Sequence, residues 1–224
     1  MKRFAAVIVS LVLMAGEWNA ADKAPQEKAP ATKPATQPGK GWICLFDGKT
    51  LQGWKASENP KSFQVKDGVI VAHGPRAHLF YVGPVKDHNF KNFEYRVDVK
   101  TTPGSNGGLY FHTRWQERGW PSHGFEAQVA NTHPDKRKTG SLYGYQDVRK
   151  SPVKDNEWWT QGIIVRGRRI VIQINGKTVV DYAVPDDPKH RAAKRLSSGT
   201  FALQGHDPKS TVHYKNIYVK PLPD

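Results

Sequence analysis

Apolar and polar residues alternate along most of the chain beyond residue 41, with the period of a β-strand. In FEYRVDVK (93–100), Phe93, Tyr95, Val97 and Val99 alternate with Glu94, Arg96, Asp98 and Lys100, the pattern of a strand with one face buried and one in water. FQVKDGVIVAHG (63–74) reads as two short strands around Lys66-Asp67-Gly68. RRIVIQINGKTVVDYAV (168–184) reads as a second hairpin turning at Asn175-Gly176, with Ile170, Ile172 and Ile174 on one face. TVHYKNIYVKPL (211–222) reads as a closing strand that returns beside WICLFD (42–47). No stretch carries a convincing helical period; the best candidate, DDPKHRAAKRL (186–196), is short and polar. Roughly ten to thirteen strands, punctuated by Gly and Pro, predict an all-β fold of two packed antiparallel sheets, a jelly-roll sandwich.

The first forty residues lie outside this pattern. Lys2 and Arg3 precede an apolar run from Phe4 to Ala15, too short to span a bilayer and suited to a signal h-region. Residues 1–21 are therefore expected to be a signal peptide, leaving a periplasmic or secreted protein with no stable membrane insertion. Residues 22–40 (DKAPQEKAPATKPATQPGK) are rich in Pro, Ala and Lys and read as a disordered linker. The folded part is then 41–224, roughly 180 residues and large enough for one core. A single cysteine, Cys44, excludes an intrachain disulfide and reads as a small buried hydrophobe. The formal net charge is +14. Because the basic residues are scattered and a leader precedes them, a solvated basic surface is favoured over a nucleic-acid partner.

Candidate chemistry enters where polar side chains interrupt apolar strands, since burying them is costly unless they are paired or face a wet cleft. In GFEAQV (124–129), Glu126 and Gln128 share a face. In GGLYFHTRW (107–115), Tyr110, His112 and Arg114 do so, and in FALQGHD (201–207), Gln204 and His206. Three strands presenting such pairs describe a groove floor. Glu126 is a candidate base, acid or metal ligand, or the partner of Arg114 in a buried ion pair. His206 is followed by Asp207, which suits an oriented imidazole. Trp115, Trp120, Trp158 and Trp159 offer rings on which a sugar can stack, although one of the adjacent pair must point away from the other. His112, Glu126 and His206 also make a weak candidate metal set, so a divalent cation is possible and no other cofactor is indicated. There is no nucleophile elbow, phosphate loop or dinucleotide fingerprint, and Glu126 has no acidic partner in its own strand. A two-carboxylate glycosidase is thus poorly supported.

The motifs FDGKTLQGW (46–54), GGLYFHTRW, GFEAQV, TGSLYGY (139–145), NEWW (156–159), INGKTVVDY (174–182), GTFALQGHD (199–207) and YKNIYVKPL (214–222), in this order, resemble the 3-keto-disaccharide hydrolase family, also described as 3-keto-glucoside 1,2-lyase and 3-keto-2-hydroxy-glucal hydratase. The resemblance spans 41–224 and implies a concanavalin A-like jelly roll. It also implies a small carbohydrate substrate, a 3-keto-glycoside, made upstream by a separate sugar 3-oxidoreductase. Glu126, Gln128, Tyr143, Gln204 and His206 stand at the family's recurring motifs. Cleavage would run by elimination across C1 and C2 followed by hydration, which needs one base, one acid and a group to hold the enolate. His206 or Glu126 is available as base, Tyr143 or His112 as acid, and Arg114 or a divalent cation for the enolate. Gln128, Gln204, Trp115, Trp158 and Asp207 complete the expected site as substrate-binding residues. The rival function is a noncatalytic carbohydrate-binding module, because the same sandwich hosts lectins.

Overall fold

Thirteen strands form within the residues that the computed structural model describes, 39–186 and 197–224. The predicted leader, all but the last two residues of the linker and all but the first residue of the helical candidate 186–196 lie outside them. In chain order the strands are β1 (Ile43–Cys44), β2 (Trp54–Ala56), β3 (Phe63–Lys66), β4 (Val69–His73), β5 (Ala77–Tyr81), β6 (Phe93–Thr101) and β7 (Gly107–Thr113). They continue as β8 (Phe125–Val129), β9 (Trp159–Arg166), β10 (Arg169–Ile174), β11 (Lys177–Ala183), β12 (Thr200–Gly205) and β13 (Thr211–Pro221). The larger sheet has the order β11-β10-β9-β6-β13-β4-β3, with β1 also on β13; the smaller has the order β2-β5-β12-β7-β8. Both are antiparallel throughout.

The two hairpins turn where the sequence places them. Asp67 and Gly68 have φ of 51° and 78°, Asn175 and Gly176 of 50° and 78°. Successive positive φ values give the mirror-image turn whose twist matches that of the flanking strands. The closing strand β13 pairs with β1 as expected, Ile43 opposite Val219 and Cys44 opposite Tyr218. Cys44 itself is exposed, a correction to the buried reading: β1 is a short strand beside β13, and burial begins only at Leu45 and Phe46.

The core lies between the sheets. Phe93, Tyr95, Val97 and Val99 of β6 meet Leu109, Phe111, Phe201 and Leu203 of the smaller sheet. Phe201 stacks on Tyr95 at 4.1 Å between centroids and meets Phe93 edge-on at 4.9 Å. Trp54 closes one end, its Nε1–H donating to the Leu45 carbonyl at 2.8 Å. Trp54→Phe keeps most of the ring packing and strands that buried carbonyl, so a loss of about 1 kcal/mol is expected, seen as a lower urea midpoint at unchanged slope.

In β7 the alternation breaks. Against β12, Ala202 faces Tyr110 and Thr200 faces Thr113, so β7 carries one residue more than its partner over this stretch. His112 sits in that bulge with φ 51°. A bulge changes which face a side chain takes, and His112 packs among the core rings Phe93, Phe111 and Phe125. The face of the smaller sheet turned away from the core is what holds the site.

Candidate functional site

Strand register lines up two rows on that outer face. One runs Phe80, Ala202, Tyr110, Glu126 and the other His78, Gln204, Gly108, Gln128, across β5, β12, β7 and β8. Glu126 does not stand upright over its own position. Its side chain lies across Gly108, where an added Cβ would come within 2.3 Å of Oε1. The carboxylate thereby reaches both neighbours: Tyr110 donates to Oε2 at 2.7 Å, and Gln204 Nε2 donates to Oε1 at 3.1 Å. Gln204 Nε2 also reaches the Tyr110 hydroxyl at 3.2 Å, while Tyr214 holds the Gln204 backbone carbonyl from the core side at 3.0 Å.

This carboxyl sits at the bottom of a cleft of about 460 Å³. Protein surrounds it on every side but the cleft, and this burial pushes it up to about 7. The hydrogen bonds from Tyr110 and Gln204 oppose the shift, Asp135 adds to it and Arg137 opposes it. A carboxyl so placed can both take and give a proton near neutrality. Tyr110→Phe removes a donor to the anionic form, so the Glu126 proton is held more tightly. Any rate that needs ionised Glu126 should then have its pH midpoint moved to higher pH, by up to about one unit; a pH profile of kcat/KM of the variant checks this.

One wall is imidazole-rich. His206 Nδ1 lies 2.6 Å from Asp207 Oδ2, which fixes the ring and leaves Nε2 as the second nitrogen. Asp207 is itself held by Ser210 Oγ at 3.0 Å and by the Lys209 amide at 2.7 Å. The His133 ring stands 5.7 Å from that of His206, and Trp120 lies 5.1 Å from it on another side. Asn106 accepts from Gln128 Nε2 at 3.1 Å. Opposite, residues 140–143 pair with β8 through the Gln128 and Tyr143 amides and bring Tyr143 to the rim, 39% exposed, under the Arg137 guanidinium.

Of the residues expected from the sequence, Glu126, Gln128, Tyr143, Gln204 and His206 line this cleft, with Asp207 behind His206. Four lie elsewhere. His112 is buried by its bulge and reaches the Lys91 carbonyl at 2.9 Å. Arg114 lies against the His123 ring and, with Trp115, lines a second cavity of about 330 Å³. The alternative of a Glu126–Arg114 ion pair therefore fails, because Tyr110 and Gln204 hold the carboxylate. Trp158 stands on the outer face of the larger sheet between Lys100 and Lys215, while Trp159 enters the core. Trp120, one of the four indoles offered for sugar stacking, does line the cleft, which adds Asn106, Ser122, Asp135 and Tyr145, most of them from loops without periodicity. Tyr110 was visible in its parity with the floor. The suggested metal set is split by His112, and among the described residues no group of three or more His, Cys, Asp or Glu is placed to hold an ion.

Residues 41–220 match the family model described as the 3-keto-alpha-glucoside-1,2-lyase-like domain. A 3-keto-disaccharide hydrolase of Bacteroides thetaiotaomicron is 33% identical over 78 residues, which is 32% of this chain and 27% of that protein. Among solved structures, a protein of Parabacteroides distasonis assigned to the glycosyl hydrolases superposes with a TM-score of 0.69 at 26% identity, over 82% of this chain and 94% of its own. A carbohydrate-binding module of Bacillus subtilis superposes with a TM-score of 0.56 at 16% identity, over 75% of this chain and 95% of its own, a likeness of fold alone.

Proposed function

We propose that this chain, which belongs to the 3-keto-alpha-glucoside-1,2-lyase-like domain family, cleaves the glycosidic bond of 3-keto-glycosides by elimination and hydration. The observation that carries this reading is Glu126: one carboxyl in the cleft floor, held by two neutral donors and tuned to about 7. Elimination beside a ketone needs one base of that kind. Direct displacement at C1 would need two carboxyl groups flanking the bond, and the other acid in the cleft, Asp135, is tied to the Arg137 amide at 2.8 Å and its guanidinium at 4.0 Å.

In the proposed sequence the C3 ketone acidifies the C2 proton, and ionised Glu126 removes it. The electron pair enters the ketone as an enolate. As the carbonyl re-forms, a C1–C2 double bond forms and the C1–oxygen bond breaks. His206, oriented by Asp207, gives the departing oxygen its proton from Nε2. The Tyr143 phenol at the rim is the donor available to the enolate oxygen. Water then adds at C1 and a proton returns to C2, so the net change is hydrolysis. The ketone implies a separate sugar 3-oxidoreductase acting earlier. The leader expected in 1–21 would place this chain in the periplasm or outside the cell.

The test is incubation of residues 22–224 with a 3-keto-glucoside in deuterated water, with and without EDTA, followed by NMR. Release of the leaving group with deuterium at C2 of the sugar is the expected result. Release without deuterium at C2 would replace elimination by displacement. Binding of sugars with no turnover at all would leave a carbohydrate-binding module.

A further inference from the structure

Register places His78 in the floor row beside Gln204. Its ring is wholly buried, and neither Nδ1 nor Nε2 has a protein hydrogen-bond partner. The Gln204 Oε1 atom in the same row is likewise buried and unpartnered. Buried polar atoms without partners are few in folded proteins, and each is costly. Three of them, on two side chains in cross-strand register beside a cleft, are placed to meet a ligand.

Trp120 packs on His78 from the cleft side, where it and Gln204 both line the cleft. Its indole stands edge-on to His78 at 5.6 Å, beside His206 at 5.1 Å and the Arg76 guanidinium at 5.1 Å. It is 45% exposed and belongs to the segment 114–124, which has no regular secondary structure. That segment is pinned beside it: Glu58 accepts two hydrogen bonds from Arg76, at 2.9 and 3.1 Å, and one from the Gly119 amide at 3.2 Å. The backbone is thus anchored next to an indole that is open to solvent, and a side-chain rotation there needs no break in a strand.

We infer that Trp120 turns aside to open a recess floored by His78 and the Gln204 carboxamide oxygen, and that this recess is the subsite for hydroxyls of the leaving sugar. Burial lowers the His78 pKa to about 3, so the ring is neutral in the working range. A neutral imidazole offers one donor and one acceptor, the complement of a hydroxyl group, and Gln204 Oε1 adds an acceptor. The recess adjoins His206, which the proposed reaction gives the role of protonating the leaving oxygen. An enzyme built this way prefers a sugar leaving group to a small alcohol.

This inference rests on the proposed reaction, and two substrates separate them. With 3-keto-trehalose, His78→Phe should raise KM about tenfold, the loss expected when one hydrogen-bonded group is left unpaired. With methyl 3-keto-α-glucoside, which has no leaving sugar, KM should move by less than about twofold. His78→Gln, which keeps a donor and an acceptor, should recover most of the disaccharide affinity. Equal changes on both substrates, or no recovery with Gln, overturn the subsite. If His78→Phe does not fold, the subsite is judged on the wild type by the binding measurement that follows. If the wild type turns over neither substrate, the reaction falls and the subsite is judged by binding. The ¹⁵N resonances of the His78 ring should then shift with trehalose and not with methyl α-glucoside. Ring signals that stay in place with trehalose overturn it, leaving a buried water as the partner of these atoms.

Discussion

Glu126→Gln is expected to lower turnover of a 3-keto-glycoside by about 10³-fold, within the range for loss of a positioned general base, while sugar binding survives. The same substitution should make the protein more stable at neutral and alkaline pH. The carboxyl titrates near 7 in the folded chain against 4.5 ordinarily. The native state therefore binds its proton more strongly than the unfolded state does. Below pH 4.5 the group is neutral in both states and costs nothing. Between pH 4.5 and 7 the unfolded chain releases the proton that the folded chain still holds, so stability falls by up to about 3 kcal/mol and levels off once the folded protein too carries the carboxylate. Glutamine has no such charge. Urea titrations at pH 4 and pH 8 should show nearly equal midpoints at the lower pH and a higher midpoint for the variant at the upper one. A variant less stable than wild type at pH 8 would mean that the carboxylate stabilises the fold and is not held there for chemistry.

Gly108→Ala separates the two roles from the other side. A Cβ at this position would lie 2.3 Å from Glu126 Oε1 and 3.0 Å from its Cδ and Cγ. The atoms in the way belong to one flexible side chain beside an open cleft, so the sheet need not move. Stability should change by less than about 1 kcal/mol, because no core contact is lost. The carboxylate, however, has to leave Gln204 and Tyr110. Displacing a reacting group by about 1 Å costs on the order of 10²-fold, and a loss of that size in kcat with an unchanged urea midpoint is the expected outcome. Comparable activity in the alanine variant would show that the precise seat of Glu126 is unimportant, and with it the proposed role as base.

The larger sheet was legible in the sequence because each of its central strands keeps one wet face. β6 alternates without a fault, and both hairpins announce themselves by Asx-Gly turns. The smaller sheet was harder. All seven residues of β7 are buried, since its outer face is a cleft floor and not open solvent, so no alternation marks the two faces. Parity correctly joined Glu126 with Gln128 and Gln204 with His206. It failed at His112 because counting by twos assumes an unbroken ladder, and a bulge with a left-handed residue leaves no trace in a pattern of apolar and polar letters. Arg114 follows that bulge and was carried off the floor with it. Trp120 was singled out as a stacking ring but not separated from Trp115 and Trp158, and Asp135 was missed, because both come from loops, where position depends on tertiary contacts such as that of Glu58 with Gly119. His78 carries no sequence signal of its place in the floor because its company, Gln204 and Trp120, lies on strands and loops far away in the chain.

The place of β13 bears on how the molecule is made. It pairs with β6, β4 and β1, so it is an inner strand of the larger sheet although all twelve others precede it in sequence. As the ribosome delivers the chain from its N-terminal end, β6 and β4 emerge with no partner between them, and β1 waits longest of all. Stable folding during synthesis is therefore blocked until residues 211–221 arrive. A nascent chain that stays open to its last strand remains a substrate for chaperones throughout elongation, and one stalled short of β13 should be cleared by proteases instead of accumulating as a partly folded product.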